Sequence, residues 1–289
     1  MENRFYRLAQ DMRLSSLGIG TYLGAPDDAT DSNYEAAIRA AIAGGINVID
    51  TARNYRGERS ERAIGRAIAG VNREEIVLCT KAGYFIDRRG HSLAPDFLEE
   101  NLMASLVNLD VAQVDIFYLH NPETQLAGEN FYLQMRAAFE RCEAMAARGM
   151  LRFYGVATWD GFRAEKTVMS LHRLVAIASE IAGQEHRFRF VQLPFNLAMP
   201  EAFNKRQQEG GTSLLQAAGE LGITVIGSAT LYQGRLGADA QRAIQFSRST
   251  PGMTVSLVGM SSPAHVAENL AIKDVPPLTE REYRATYGR

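Results

Sequence analysis

The chain of 289 residues has only two cysteines, Cys79 and Cys142. Two thiols do not make a disulfide framework, so the fold must rest on its own core. Neither sign of charge dominates: 31 Lys and Arg stand against 33 Asp and Glu, a formal net charge of -2. That balance gives no broad attraction to nucleic acid or to an anionic membrane. No stretch approaches the roughly 18 apolar residues of a membrane-spanning helix. The opening segment, MENRFYRLAQDMRL, is charged and lacks the apolar centre of a secretory signal. There is no Pro/Gly/Ser-rich linker and no low-complexity segment, so a single domain over residues 1–289 is expected. These absences leave a cytoplasmic protein, with neither nucleic acid nor membrane as partner, as the expectation. Nothing in them speaks to oligomeric state.

What is present is a repeating pattern in a chain that is 46% hydrophobic. Eight short apolar runs occur at 17–21 (LGIGT), 46–50 (INVID), 76–81 (IVLCTK), 114–120 (VDIFYLH), 151–157 (LRFYGVA), 188–193 (FRFVQL), 223–227 (ITVIG) and 255–259 (VSLVG). Their near-continuous apolar character is that of strands covered on both faces. Amphipathic stretches lie between them. SNYEAAIRAAIAGG starts at Ser32, a candidate N-cap with Glu35 at capping-box spacing, and closes on Gly44 and Gly45. SERAIGRAIAG repeats that logic from Ser60, and APDFLEENLMASLVNLD has Pro95 near its start. FYLQMRAAFERCEAMAARG, TSLLQAAGELG and SPAHVAENLAI read as further helices, and the longer interval 161–187 reads as one helix with added loop. Strands alternating with helices eight times predict an α/β fold, a (β/α)8 barrel. A doubly wound sheet is the alternative, but GIGTYLG lacks the G-x-G-x-x-G spacing of its phosphate loop. The segment FYRLAQDMRLS before the first strand reads as a short hairpin closing the barrel bottom.

Barrels of this kind place their chemistry at the C-terminal ends of strands. The second run ends on Asp50, the third on Lys81 and the fourth on His120, and Tyr55 follows Asp50 in the next loop. Singly, each has an ordinary structural reading: a turn cap, a surface ion pair, a satisfied histidine, loop packing. Together at one mouth they form a set with a use, because buried polar groups must be paired. A nearby ammonium lowers the pKa of a phenol. Lys81, held by Asp50, is therefore expected to bring Tyr55 toward neutrality as a general acid. His120 is expected to hydrogen-bond the same substrate oxygen and orient it.

The stretches LGIGTYLG, GGINVIDTARNY, GERSERAIGRAI, CTKAG, SLVNLDVAQVDIFYLHNPE, GVATW, VQLPFN, GITVIGSATLYQGRL and LVGMSSPAHVAENL occur in an order that resembles the aldo-keto reductase superfamily and cover nearly the whole chain. The resemblance implies a nicotinamide dinucleotide lying across the barrel mouth, no metal, and Asp50, Tyr55, Lys81 and His120 as a catalytic tetrad. It implies cofactor contacts at Gly20, Thr21, Tyr22, Asp50, Thr158, Gln192, Ser228, Leu231, Gln233, Gly234, Gly259, Ser261, His265, Glu268 and Asn269. Several positions depart from the family pattern. Ala157 and Thr158 replace its Ser and Asn at the nicotinamide carboxamide, and Phe195-Asn196 stands where Tyr-Asn is common. Ser228 replaces the aromatic that stacks on the nicotinamide, so stacking is lost or passes to Tyr232 or Trp159. Near the eighth run, Gly259 and His265 stand where Lys or Gly and Arg hold the 2′-phosphate of NADP. A dianionic phosphate wants charge-assisted partners. Either Arg235 or another basic residue reaches in, or NAD is used; family habit favours NADP.

The mouth loops are expected to set substrate choice: HNPETQLAGENFYLQ after the fourth run, and the tail after Leu270, whose shortness suggests an open mouth. Tyr22, Tyr84 and Trp159, with Phe85 and Phe195, are candidates for an aromatic wall around a small carbonyl substrate. The resulting expectation is an NAD(P)-dependent oxidoreductase interconverting an aldehyde or ketone with its alcohol. Sugar lactone-forming dehydrogenation is a variant. A nicotinamide-binding regulatory or subunit protein with weak residual reductase activity is the alternative, and an unrelated barrel lyase or isomerase is a third.

Overall fold

The structure is a computed structural model that describes residues 5–87, 89–124, 127–164 and 169–288. All eight apolar runs form strands: β3 (Leu17–Gly20), β4 (Val48–Asp50), β5 (Val77–Ala82), β6 (Val114–His120), β7 (Leu151–Ala157), β8 (Phe188–Pro194), β9 (Thr224–Ser228) and β10 (Met253–Gly259). They pair in parallel, in chain order, and β10 returns to β3 to close the barrel. This is the (β/α)8 architecture expected, and no open doubly wound sheet is formed. Ahead of it, β1 (Tyr6–Ala9) and β2 (Met12–Ser15) make the expected antiparallel hairpin. Met12 and Leu14 join the apolar cluster inside the barrel, with Val48, Val77, Ile116, Phe190, Ile226 and Val255. The hairpin is thus the plug of the barrel floor.

The outer wall is made of helices whose apolar faces cover the strands. These are α1 (Asp28–Ala43), α2 (Arg59–Ile68), α3 (Pro95–Leu109), α4 (Gly128–Ala147), α5 (Leu171–Ala182), the short α6 (Glu201–Asn204), α7 (Leu214–Glu220), α8 (Ala240–Ser249), α9 (Pro263–Leu270) and α10 (Glu280–Tyr287). Close approach dictates residue choice at Gly155 on β7, where an added Cβ would lie 2.0 Å from the Phe190 carbonyl oxygen.

Three expectations change. Helix α1 begins four residues before Ser32, capped by Asp27, whose carboxylate accepts the Thr30 amide at 2.8 Å. Glu35 makes no capping box and instead pairs with Arg66 at 2.6 Å. Ser60 is no cap either: it is buried inside α2, whose preceding residue Glu58 has no side-chain cap. The tail after Leu270 forms α10 on the outer wall, where Tyr283 and Tyr287 meet Phe246 of α8. Residues 165–168 of the interval 161–187, and residues 125 and 126 of the segment after β6, lie outside the described residues.

Candidate active site

Strand register brings the expected residues to one rim. Gly20 lies opposite Asp50, Lys81 opposite Tyr118, His120 opposite Ala157, Ala157 opposite Gln192, and Gly259 opposite Gly20. The centre is a buried ion pair, with Lys81 Nζ 2.5 Å from Asp50 Oδ1. Lys81 also donates to the Thr51 carbonyl at 2.8 Å. The second oxygen of Asp50 accepts from Gln192 Nε2 at 2.8 Å. Both carboxylate oxygens are thereby satisfied, as a buried charge requires. Gln192, expected against the cofactor, is thus also the brace of Asp50. That tie joins residues 142 positions apart and has no local sequence signal.

The Lys81 ammonium lies 5.1 Å from the Tyr55 ring centroid. Tyr22 meets the same ring edge-on at 5.0 Å and His120 at 6.0 Å. Burial raises the Tyr55 phenol above its ordinary pKa, against the downward pull of Lys81. Lys81 pulls the phenol down as expected, but desolvation of the phenolate outweighs the nearby cation and the net shift is upward, not toward neutrality. Burial, the largest single influence, works against the charged form of Lys81, but Asp50 and Tyr55 together offset it and the net shift is upward. At neutral pH a charged Lys81 lies beside a protonated Tyr55, and Tyr55 lines a cavity.

Further support stands behind His120. Its backbone carbonyl lies 2.7 Å from His91 Nε2. Tyr84 meets both imidazoles edge-on at 5.0 Å, and its hydroxyl accepts from Asn121 Nδ2 at 3.0 Å.

The cavity at this rim has a volume of about 430 Å³. Of the residues expected at the cofactor, Gly20, Thr21, Tyr22, Asp50, Thr158, Gln192, Ser228, Leu231, Gln233, Gly234 and Gly259 line it. Ser261, His265, Glu268 and Asn269 do not, and lie beyond Gly259 at the start of and along α9. There Ser262 caps the helix by accepting the His265 amide at 3.3 Å. His265 and Glu268 are exposed, whereas Asn269 is buried with its Oδ1 unpartnered among the described residues. Arg235 does not reach this end; its guanidinium sits 5.0 Å over the Tyr232 ring.

Of the aromatic wall, Tyr22, Tyr84 and Trp159 line the cavity. Phe195 does not: it is fully buried and stacked on Phe246 at 5.4 Å. Phe85 is absent from the lining and packs on Phe97. Tyr232 also stays out of the lining, whereas Trp159 and Ser228 both line the cavity.

Glu123 is a site residue that the sequence reading missed. One of its carboxylate oxygens accepts from the Thr158 hydroxyl at 2.6 Å and from the amides of Trp159, Asp160 and Gly161 at 2.9, 2.9 and 3.3 Å. The Gly161 amide also donates to Thr158 Oγ1 at 2.8 Å. A hydroxyl has one proton and two lone pairs. Thr158 is left with one lone pair, so it can accept from a ligand and cannot donate to one. The turn after β6 and the loop after β7 are latched together by this carboxylate.

The sequence matches the model of the Aldo/keto reductase family over residues 16–248. The chain belongs to that family. It is 32% identical over 167 residues to the NADH-specific methylglyoxal reductase of Escherichia coli (strain K12), covering 52% of this chain and 50% of that one. The match thus spans about half the length of that relative. Its fold is that of an aldo/keto reductase from Klebsiella pneumoniae in complex with NADP and acetate, at a TM-score of 0.74 and 22% identity, covering 97% of this chain and 94% of the other. The holo form of aldo-keto reductase AKR11C1 from Bacillus halodurans gives a TM-score of 0.74 at 19% identity, covering 96% and 94%.

Proposed function

We propose that this protein is an NAD(P)-dependent oxidoreductase that interconverts a small aldehyde or ketone with its alcohol. The observation that carries this reading is the buried Asp50–Lys81 pair beside a Tyr55 phenol, with His120 on the same rim, opening into a cavity that runs to Gly259. A bound nicotinamide dinucleotide supplies or takes up the hydride. In reduction, Tyr55 gives its proton to the carbonyl oxygen and His120 hydrogen-bonds that oxygen. Lys81 stabilises the phenolate that forms, and Asp50, braced by Gln192, keeps Lys81 charged. Thr158 accepts from the carboxamide of the nicotinamide, and Tyr22, Tyr84 and Trp159 wall the carbonyl compound.

The residues present fit a dinucleotide. The cavity lining carries the expected groups from Gly20 to Gly259, and beyond it buried Asn269 has an unpartnered acceptor among the described residues. NADP is the assigned cofactor, with NAD accommodated as well. The Klebsiella structure holds NADP and the Escherichia coli relative is named for NADH. Here the 2′-phosphate would meet Ser261, Ser262 and exposed His265 rather than an arginine. One missing charge-assisted hydrogen bond is worth about 1.5–3 kcal/mol, so the preference for NADPH over NADH should be weaker by about 10–150-fold than in a site that supplies the arginine.

The test is Tyr55→Phe. Turnover should fall by about 10²–10⁴-fold, while dinucleotide affinity measured by fluorescence quenching stays near that of the parent. Unchanged turnover would sink the assignment of Tyr55. Dinucleotide binding without turnover in the parent, on a broad panel of carbonyl compounds, would favour the regulatory alternative.

A further inference from the structure

Three consecutive residues after Tyr55 lie in the left-handed region: Arg56, Gly57 and Glu58, at φ 50°, 64° and 68°. Only the middle one is a glycine, and an L-residue with a side chain is disfavoured there. Something must hold Arg56, and its own side chain does so. It is 5% exposed, a buried guanidinium directly behind the tyrosine loop. NH1 lies 2.6 Å from Asp31 Oδ1 in the first turn of α1. Nε donates to Ser60 Oγ at 3.1 Å, and the guanidinium sits 4.9 Å over the ring of buried Tyr34.

The bonds continue toward the catalytic strand. Ser60 Oγ donates to the Thr21 carbonyl at 2.9 Å. The amide and the hydroxyl of Thr21 both donate to the Asp50 carbonyl, at 3.2 and 3.1 Å. One line, Asp31–Arg56–Ser60–Thr21–Asp50, therefore ties the residue after Tyr55 to the strand end that carries the lysine's counter-ion. It crosses from α1 through the catalytic loop and α2 to β3 and β4. Neither Asp31, Arg56 nor Ser60 lines the cavity, so proton chemistry does not account for it.

We propose that Arg56, clamped by Asp31 and Ser60, is a positioning residue that sets the Tyr55 backbone so that its phenol stands at Lys81 and His120 before any ligand arrives. The inference rests on Tyr55 being the proton donor. The groups facing the phenol are Asp50 from β4, Lys81 from β5, His120 from β6 and Tyr22 after β3. None is Asp31, Arg56 or Ser60; Asp50 meets the line only through its backbone carbonyl. Loosening the clamp thus acts on the phenol by moving it, not by deleting a charge beside it.

Arg56→Gly removes the guanidinium while suiting the left-handed backbone. At a temperature well below its melting point it should lose about 10–100-fold in kcat, with KM and the Kd for NADPH and NADH within about threefold of the parent. The alkaline limb of its reduction rate should move to lower pH, because a phenol that gains water loses the burial that raised its pKa. Arg56→Lys should recover part of the loss, since an ammonium still reaches for Asp31 but lacks the second bond to Ser60. A lower melting temperature with unchanged kcat and pH profile would make the clamp structural only and overturn the proposal. If Arg56→Gly does not fold, Ser60→Ala removes only the middle link and should show the same limb shift with a smaller kcat loss; parent-like values there overturn it equally. Tyr55→Phe run alongside separates the two ideas. If that variant keeps its turnover, Tyr55 itself is misassigned; if it is inactive while the Arg56 and Ser60 variants behave like the parent, only the clamp fails.

Discussion

The loop after β4 and the loop after β9 both turn through three successive residues at positive φ. In the first they are Arg56, Gly57 and Glu58; in the second Tyr232, Gln233 and Gly234, at 47°, 54° and 88°. Each non-glycine residue there costs about 1–2 kcal/mol. The first loop meets that cost with buried or partly buried bonds. Arg56 is held by Asp31 and Ser60, and Glu58 by Arg53 at 2.9 Å. The second loop is open to solvent around Gln233, Gly234 and Arg235. Tyr232 carries only the Arg235 guanidinium, and Gln233 has no side-chain hydrogen bond among the described residues. The contrast locates the order this fold keeps in the absence of ligand. The loop bearing Tyr55, the proposed proton donor, is set in advance, and the loop proposed to face the dinucleotide keeps its strain for a partner to offset.

The largest test of the comparison is at its rigid end. Lys81→Met leaves Asp50 buried with Gln192 alone, and removing one partner of a buried pair costs about 3–5 kcal/mol. Denaturant unfolding should show a loss of that order, whereas Gln233→Ala should stay within about 0.5 kcal/mol. Equal effects would break the contrast. Hydrogen exchange comes next. The Gln233 amide, without a backbone hydrogen bond among the described residues, should exchange fast without ligand and slow by about tenfold or more with NADPH, while those of Tyr55 and Glu58, bonded to the Ala52 and Arg53 carbonyls, are protected from the start. A third test concerns the proton itself. The raised pKa of Tyr55 keeps the acid form through neutral pH, so the reduction rate should hold until the pH passes about 10, the usual value for a phenol. Oxidation of the alcohol, which needs the phenolate, should rise with pH over the same range. The smallest effect has a diagnostic sign. Gln233→Gly should stabilise by about 0.5–1 kcal/mol, the relief of left-handed strain less the extra backbone entropy of glycine. Arg56→Gly, the same exchange in the other loop, should destabilise, because there the side chain is the support.

This division also marks what could be read from the chain. The strands were legible because burial on both faces writes itself as a run, and Asp50, Lys81 and His120 because they end such runs. The start of α1 was not. The segment DDATDSN offers Asp27, Asp28, Thr30, Asp31 and Ser32 as cap formers. The fold uses the first, and so Asp31 lies within the helix where Arg56 can meet it. Ser60 looked like a cap for a similar reason and is a buried relay. Arg56 and Glu123 were missed because their partners, Asp31 and Thr158, are 25 and 35 residues away. A charge in a loop shows no such destination in sequence. Phe195 was open between mouth and core because an aromatic after a strand reads the same whether it turns inward or toward α8; it packs in the core on Phe246.

Met12 and Leu14 fill the barrel floor, and the cavity lies at the opposite rim. Such a room is filled and emptied in sequence: what sits deepest comes first and leaves last. Gln192 and Thr158 are each 5% exposed, whereas Tyr22 and Trp159 stand at the threshold at 46% and 37%. A dinucleotide seated against the first pair would lie beneath a carbonyl compound held by the second. Its departure would then have to wait for the alcohol to go, and a lingering product would stall the whole queue.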